Sequence, residues 1–139
     1  MVHIQWSNAS PILSEAPLKS GNYTPEIVMR WVSLPKNLTK GKSCYLLQIQ
    51  DDSMEPALKN NDFAIIEDIK DPKPNNGDMV VSRDGKNTLI RHFYLDPKET
   101  VSILEPLNPA YAKKVFTALG DLELRGIVRG SLWKGFFQL

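Results

Sequence analysis

The chain has 139 residues, 42% of them hydrophobic, and 17 Lys and Arg against 16 Asp and Glu, a formal net charge of +1. That is the length of one ordinary domain, enough to bury roughly two-thirds of its unfolded surface without disulfides or metals as staples. The near balance of charge argues against a dominant nucleic-acid-binding face, which shows as a clustered basic excess. No run approaches the ~18 apolar residues that a membrane span needs. The opening residues Met1-Val2-His3-Ile4-Gln5-Trp6 have neither a basic start nor a long apolar stretch, so they do not read as a signal peptide.

In chain order, residues 1–27 are turn-rich, with Pro11, Pro17 and Pro25, and read as a mostly extended, irregular arm. Residues 28–33 alternate weakly and suggest a short strand. Residues 35–42 form a polar connection, and 43–50 a strand with Leu47 and Ile49 on one face and Leu46 on the other. Residues 51–61 break the pattern, with a helical turn around Glu55-Pro56-Ala57-Leu58. Strands follow at 62–69 and 78–83, separated by a loop with two prolines. Asp84-Gly85-Lys86-Asn87 is a hairpin signal, with 88–95 as the returning strand. Residues 101–104 predict another strand, and 122–137 one or two more. No segment of ten or more residues shows a 3.6-residue apolar stripe, so a mainly antiparallel β domain is expected. Cys44 is the single cysteine, which excludes an internal disulfide. In its apolar setting it reads as a small buried hydrophobe, and the lack of a disulfide framework fits a reducing cytoplasm. No cofactor and no metal is expected.

Chemistry is concentrated in Gln50-Asp51-Asp52-Ser53-Met54-Glu55-Pro56. A serine leaves a strand into a tight turn, exposing a hydroxyl and leaving nearby backbone N–H groups unpaired to stabilise an oxyanion. From composition alone the serine is ordinarily an N-cap of the following turn.

Asp52-Ser53-Met54-Glu55-Pro56 resembles the nucleophile motif of the serine–lysine peptidases that include LexA, UmuD, phage repressors and signal peptidases. The resemblance extends to Asn61-Asp62-Phe63-Ala64-Ile65-Ile66, to Gly77-Asp78-Met79-Val80-Val81-Ser82-Arg83, to the Leu-x-Pro-x-Asn-x-x-Tyr pattern of residues 104–111, and to Leu124-Arg125-Gly126-Ile127-Val128-Arg129-Gly130. It covers about residues 28–133, with the motifs in the family's order. It implies the bent antiparallel sheets and β-ribbon of the LexA C-terminal, signal-peptidase-like fold, with 1–27 as an N-terminal arm and 28–139 as the peptidase and dimerisation domain.

The resemblance also implies a Ser–Lys dyad, in which a neutral amine takes the serine proton. The lysine's place, in the second strand of the hairpin, is filled by Arg91, 38 residues after Ser53. An arginine holds its proton far more tightly than a lysine, so making it a base at pH 7 needs a shift of at least about five units, roughly 7 kcal/mol. Little or no proteolysis at neutral pH is therefore expected. His92 faces the other way on a strand and replaces Arg91 only if the register slips by one. Lys86 lies in the hairpin turn, too far along the strand.

Family members cut their own chain upstream of the serine, many after a segment Ile-x-Trp-x-x-Ala-Gly. Ile4-Gln5-Trp6-Ser7-Asn8-Ala9-Ser10 resembles it and places the scissile bond at Ala9–Ser10, with Ser for Gly. A disordered tail is the alternative. The resemblance implies a cytoplasmic homodimer, contact with the RecA filament of the SOS response, and DNA binding only through a separate helix-turn-helix domain that these residues do not form. Trp133, Phe136 and Phe137 suggest an interface, or else core. The resulting reading is the regulatory and dimerisation domain of a LexA-like or prophage repressor with self-cleavage impaired. The alternatives are a UmuD-like accessory protein of translesion synthesis and a working self-cleaving peptidase.

Overall fold

The computed structural model describes residues 9–98, 100–117 and 122–137. Its strands are β1 (Ser10–Leu13), β2 (Val28–Val32), β3 (Cys44–Gln48), β4 (Phe63–Glu67), β5 (Met79–Asp84), β6 (Asn87–Leu95), β7 (Ser102–Glu105), β8 (Lys114–Phe116) and β9 (Leu124–Leu132), with one short helix, α1 (Lys36–Thr39). They form a nine-stranded sheet in the order β2-β1-β3-β4-β9-β5-β6-β7-β8. Every pairing is antiparallel except β1 with β3, where Ile12 faces Leu46 and Leu13 faces Leu47. The mainly β expectation holds.

Two of these strands were not expected. The arm read as irregular contains β1, whose Ser10-Pro11-Ile12-Leu13 lacks the alternation of a half-buried strand because all four residues are buried. A strand covered on both faces has no polar side to reveal its period. β8 is only three residues long, below what a sequence pattern can mark. The polar connection at 35–42 holds α1, a single turn that ends at Lys40 in the left-handed conformation, φ 53°. In the β5–β6 hairpin, Asp84 pairs with Asn87 around Gly85, φ 60°, where a two-residue loop needs glycine.

Because successive side chains point to opposite faces, β1, β3 and β4 feed two cores. Leu13, Tyr45, Leu47, Ala64 and Ile66 bury on one side with Met54, Leu58 and Val81. Ile12, Cys44, Leu46 and Ile65 bury on the other with Val32, Leu34 and Leu132. A third cluster joins Val80, Phe93, Leu104 and Ile127. Burial also pushes the Cys44 thiol up to about 11, with Glu67 adding to the effect, so this cysteine is inert as well as isolated.

β9 is the hinge of the sheet, since it pairs with β4 along one edge and β5 along the other. Both ladders shift register along β9, the β4 ladder between Val128 and Gly130 and the β5 ladder beside Gly126, which adopts φ 150°, a conformation that L side chains rarely take. A Cβ there would sit 2.5 Å from Ile66 Cγ2 and 2.6 Å from the Glu67 carbonyl oxygen. The backbone oxygen cannot yield as a flexible side chain would. Gly126→Ala is therefore expected to cost about 1–3 kcal/mol, the usual range for overpacking, read as a lowered urea midpoint with an unchanged slope. Cys44 should react with a disulfide-exchange reagent at pH 8 only in the unfolded chain. Fast labelling of the native protein would contradict its burial.

Candidate functional site

The loop that carries Ser53 is tied at its base and at its tip. At the base, the Ile49 N–H donates to the Asp62 carbonyl (2.7 Å) and the Asn61 N–H donates to the Ile49 carbonyl (2.8 Å). Beyond Ser53, Met54 and Leu58 are 1% and 4% exposed, and both anchor in the core shared with Leu47 and Ile66. Met54 is thus the apolar pin that fixes where the preceding residue points. The Leu58 N–H donates to the Met54 carbonyl at 2.9 Å, closing a single hydrogen-bonded turn where the sequence suggests a helical turn.

The tip is held from the other side by residues 106–111. The backbone N–H groups of Leu107 and Asn108 both donate to the Ser53 carbonyl, at 3.0 and 2.9 Å. The Asn108 amide reaches the Asp52 carbonyl at 3.4 Å, and the Tyr111 hydroxyl donates to Asp52 Oδ1 at 2.8 Å. That bond raises the Tyr111 pKa above its ordinary value, because ionising the phenol would place it against the Asp52 carboxylate. The spacing of Leu107, Asn108 and Tyr111 therefore has a mechanical reason: they bracket one turn.

β6 delivers Arg91 to the same point. Burial alternates in its middle, with Arg91 and Phe93 buried on either side of a half-buried His92. Arg91 is 7% exposed and Ser53 2%. The Arg91 guanidinium donates from Nη1 to Ser53 Oγ at 2.8 Å and to the Ile90 carbonyl at 2.8 Å. Its carbon lies 5.8 Å from the centre of the Tyr111 ring, a cation–π contact. Burial lowers the proton affinity of Arg91, while Asp51 and Tyr111 oppose that shift. His92 pairs with Met79 and Glu105, out of register with Ser53, and its ring lies beside Tyr94. Lys86 lines a separate cavity with Glu15 and Arg83.

The residue that sequence reasoning passed over is Asp51. Its Oδ1 accepts the Ser53 hydroxyl at 2.6 Å and the Ser53 N–H at 3.0 Å. The sequence predicts unpaired backbone N–H groups around this serine, and the N–H of Ser53 itself is instead engaged by Asp51. The cue was present, since an Asx side chain two residues before a turn amide commonly bonds it. What the sequence lacked was any sign that the carboxylate also takes the hydroxyl. Ser53 Oγ thus accepts from a cation and donates to an anion.

Ala9 and Ser10 are not brought to this point. Ala9 is exposed and Ser10 opens β1. Both line a cavity of about 580 Å³ with Tyr23, Trp31, Cys44 and Asp68. The residue of this arm that borders the Ser53 cleft is Ser14, beyond the other end of β1, roughly 13 Å along the strand from Ser10 at ~3.3 Å per residue. Ile4, Gln5 and Trp6 lie outside the described residues. At the C-terminal end, Trp133 is 67% and Phe136 38% exposed. Phe137 packs edge-on against Phe63 and Phe136, with Arg30 over its ring. No described helix is long and apolar enough to cross a membrane, and among the described residues no cluster of side chains is arranged to hold a metal.

Comparison with known proteins places this arrangement in a class. The Peptidase S24-like family model matches residues 11–129, so the chain belongs to that family. The similarity extends to the LexA repressor of Geotalea uraniireducens (strain Rf4), 26% identical over 117 residues that cover 81% of this chain and 56% of the relative. The chain therefore matches little more than half the length of that protein.

Ser53→Ala removes the acceptor that Arg91 uses and the donor that Asp51 uses, inside a buried site. It should cost about 1–3 kcal/mol of stability, the range for stranding a buried polar partner. A rise in melting temperature would show instead that the hydroxyl is held under strain.

Proposed function

We propose that this chain is the regulatory and dimerisation domain of a LexA-like or prophage transcriptional repressor in which self-cleavage is lost or strongly slowed. The observation that carries the second half is the direction of one hydrogen bond. A base for Ser53 must accept the hydroxyl proton, and the guanidinium has donors but no acceptor. Here Arg91 donates to Ser53 Oγ, and the hydroxyl proton points at Asp51. Asp51 is a poor substitute, because a carboxylate is a far weaker base than an amine and has little tendency to hold a serine proton.

The position of Ala9–Ser10 supports the same reading. For that bond to reach Ser53, β1 would have to leave both β2 and β3 and expose Ile12 and Leu13, which are 2% and 1% exposed. At about 25 cal/mol per Å² of apolar surface, uncovering two such side chains costs about 3–6 kcal/mol. Likeness to a LexA repressor supports the regulatory half. In this reading the domain pairs with a second copy, and the two-fold axis it provides positions helix-turn-helix domains on a palindromic operator. Contact with the RecA filament belongs to the same reading, as does a cytoplasmic setting.

Purified protein incubated from pH 7 to 11 and followed by intact mass should show no cut after Ala9 near pH 7. Efficient Ser53-dependent cutting there would overturn the proposal. Sedimentation should show a dimer, and Trp133→Glu should shift it towards monomer if the exposed aromatics at the C-terminal end form the interface. A monomer at all concentrations would remove the dimerisation role.

A further inference from the structure

The cleft at Ser53 encloses about 70 Å³, and Asp51 and Arg91 are its sole charged lining residues among those described. The others, including Ser14, Gln50, Thr88 and Ile90, are neutral. The two charges face each other across one hydroxyl, each hydrogen-bonded to Ser53 Oγ. From the remaining elements packed around Arg91, β5 presents Val80 opposite it, and the 106–111 segment presents Tyr111, whose hydroxyl is committed to Asp52. Asp51 is therefore the one carboxylate aimed into the cleft.

This matters because the two residues that can stand at position 91 need opposite surroundings. A lysine base works only as the neutral amine, so it needs burial without a counter-charge, and a carboxylate within 4–6 Å raises its pKa by about one to three units. A permanently charged arginine, buried to the same degree, needs the counter-charge. Asp51 suits the second and defeats the first.

We propose that Asp51 is a positioning residue matched to Arg91: it is the fixed counter-charge of the site, and it keeps whatever cation stands at position 91 protonated. The inference rests on the reading of position 91 as the place of the base. Its consequence is that Arg91→Lys by itself does not create a serine–lysine dyad, because the introduced amine stays charged and donates to Ser53 as the guanidinium does. Relief requires the carboxylate to go as well. Asp51→Asn is the informative change, since its side-chain oxygen still accepts the Ser53 N–H and so preserves the turn.

The test is a pH titration of the introduced amine by NMR in lysine-labelled Arg91→Lys and in Arg91→Lys/Asp51→Asn, with Asp51→Ala as the second variant if Asn does not fold. The amine's titration midpoint is expected to fall by about one to three pH units when Asp51 is neutralised. An unchanged midpoint overturns the inference. In parallel, a fluorophosphonate probe reports the nucleophilicity of Ser53, read as a mass increase absent from a Ser53→Ala control. Labelling is expected to begin at lower pH in the double variant than in Arg91→Lys. Labelling of both variants at pH 7 to the same, non-zero extent overturns the inference too. If the midpoint falls and Ser53 stays inert, the counter-charge role stands, and it is the reading of position 91 as the place of the base that fails.

Discussion

Ser53 Oγ lies between the Asp51 carboxylate at 2.6 Å and the Arg91 guanidinium at 2.8 Å, and these groups come from two separate parts of the chain. The loop after β3 supplies Asp51 and Ser53, and β6 supplies Arg91 from 38 residues further on. A buried guanidinium is costly to leave unpaired, so this three-member contact constrains how the loop meets the hairpin. The Met54 anchor and the Leu107–Tyr111 bracket restrain the same turn, one through apolar burial and the other through hydrogen bonds to its carbonyl groups.

The sheet serves that contact. β9 joins two half-sheets that would otherwise be independent, and its close approach to β4 at Gly126 depends on the missing side chain. β5 and β6 hang from β9, so the position of Arg91 relative to Ser53 follows from the β4–β9–β5 geometry. The sheet thereby holds a polar centre in which Arg91 donates to Ser53 Oγ and the Ser53 hydroxyl donates to Asp51.

Much of this was legible in the residues themselves. The turn Asp52-Ser53-Met54-Glu55-Pro56, the hairpin around Gly85 and the strand alternation of β6 are local, and each is set by backbone preference or by a period of two. Placing Arg91 opposite Ser53 needed only that period together with the resemblance of the motifs. β1 escaped because burial on both faces erased its alternation. Asp51 escaped because acids flanking a turn are ordinarily solvated, and nothing in its neighbours marks a carboxylate that accepts from both the amide and the hydroxyl of Ser53.

The sequence by itself determined that the domain is mainly β and that Ser53 leaves a strand into a tight turn. These follow from side-chain chemistry and short-range geometry. Tertiary structure alone decided where the Ser53 proton points, that Ala9–Ser10 stands at the far end of β1, and that Asp51 and Arg91 share one hydroxyl. Those are distances between segments remote in sequence, set by how the two faces of one sheet pack, and no local pattern encodes them.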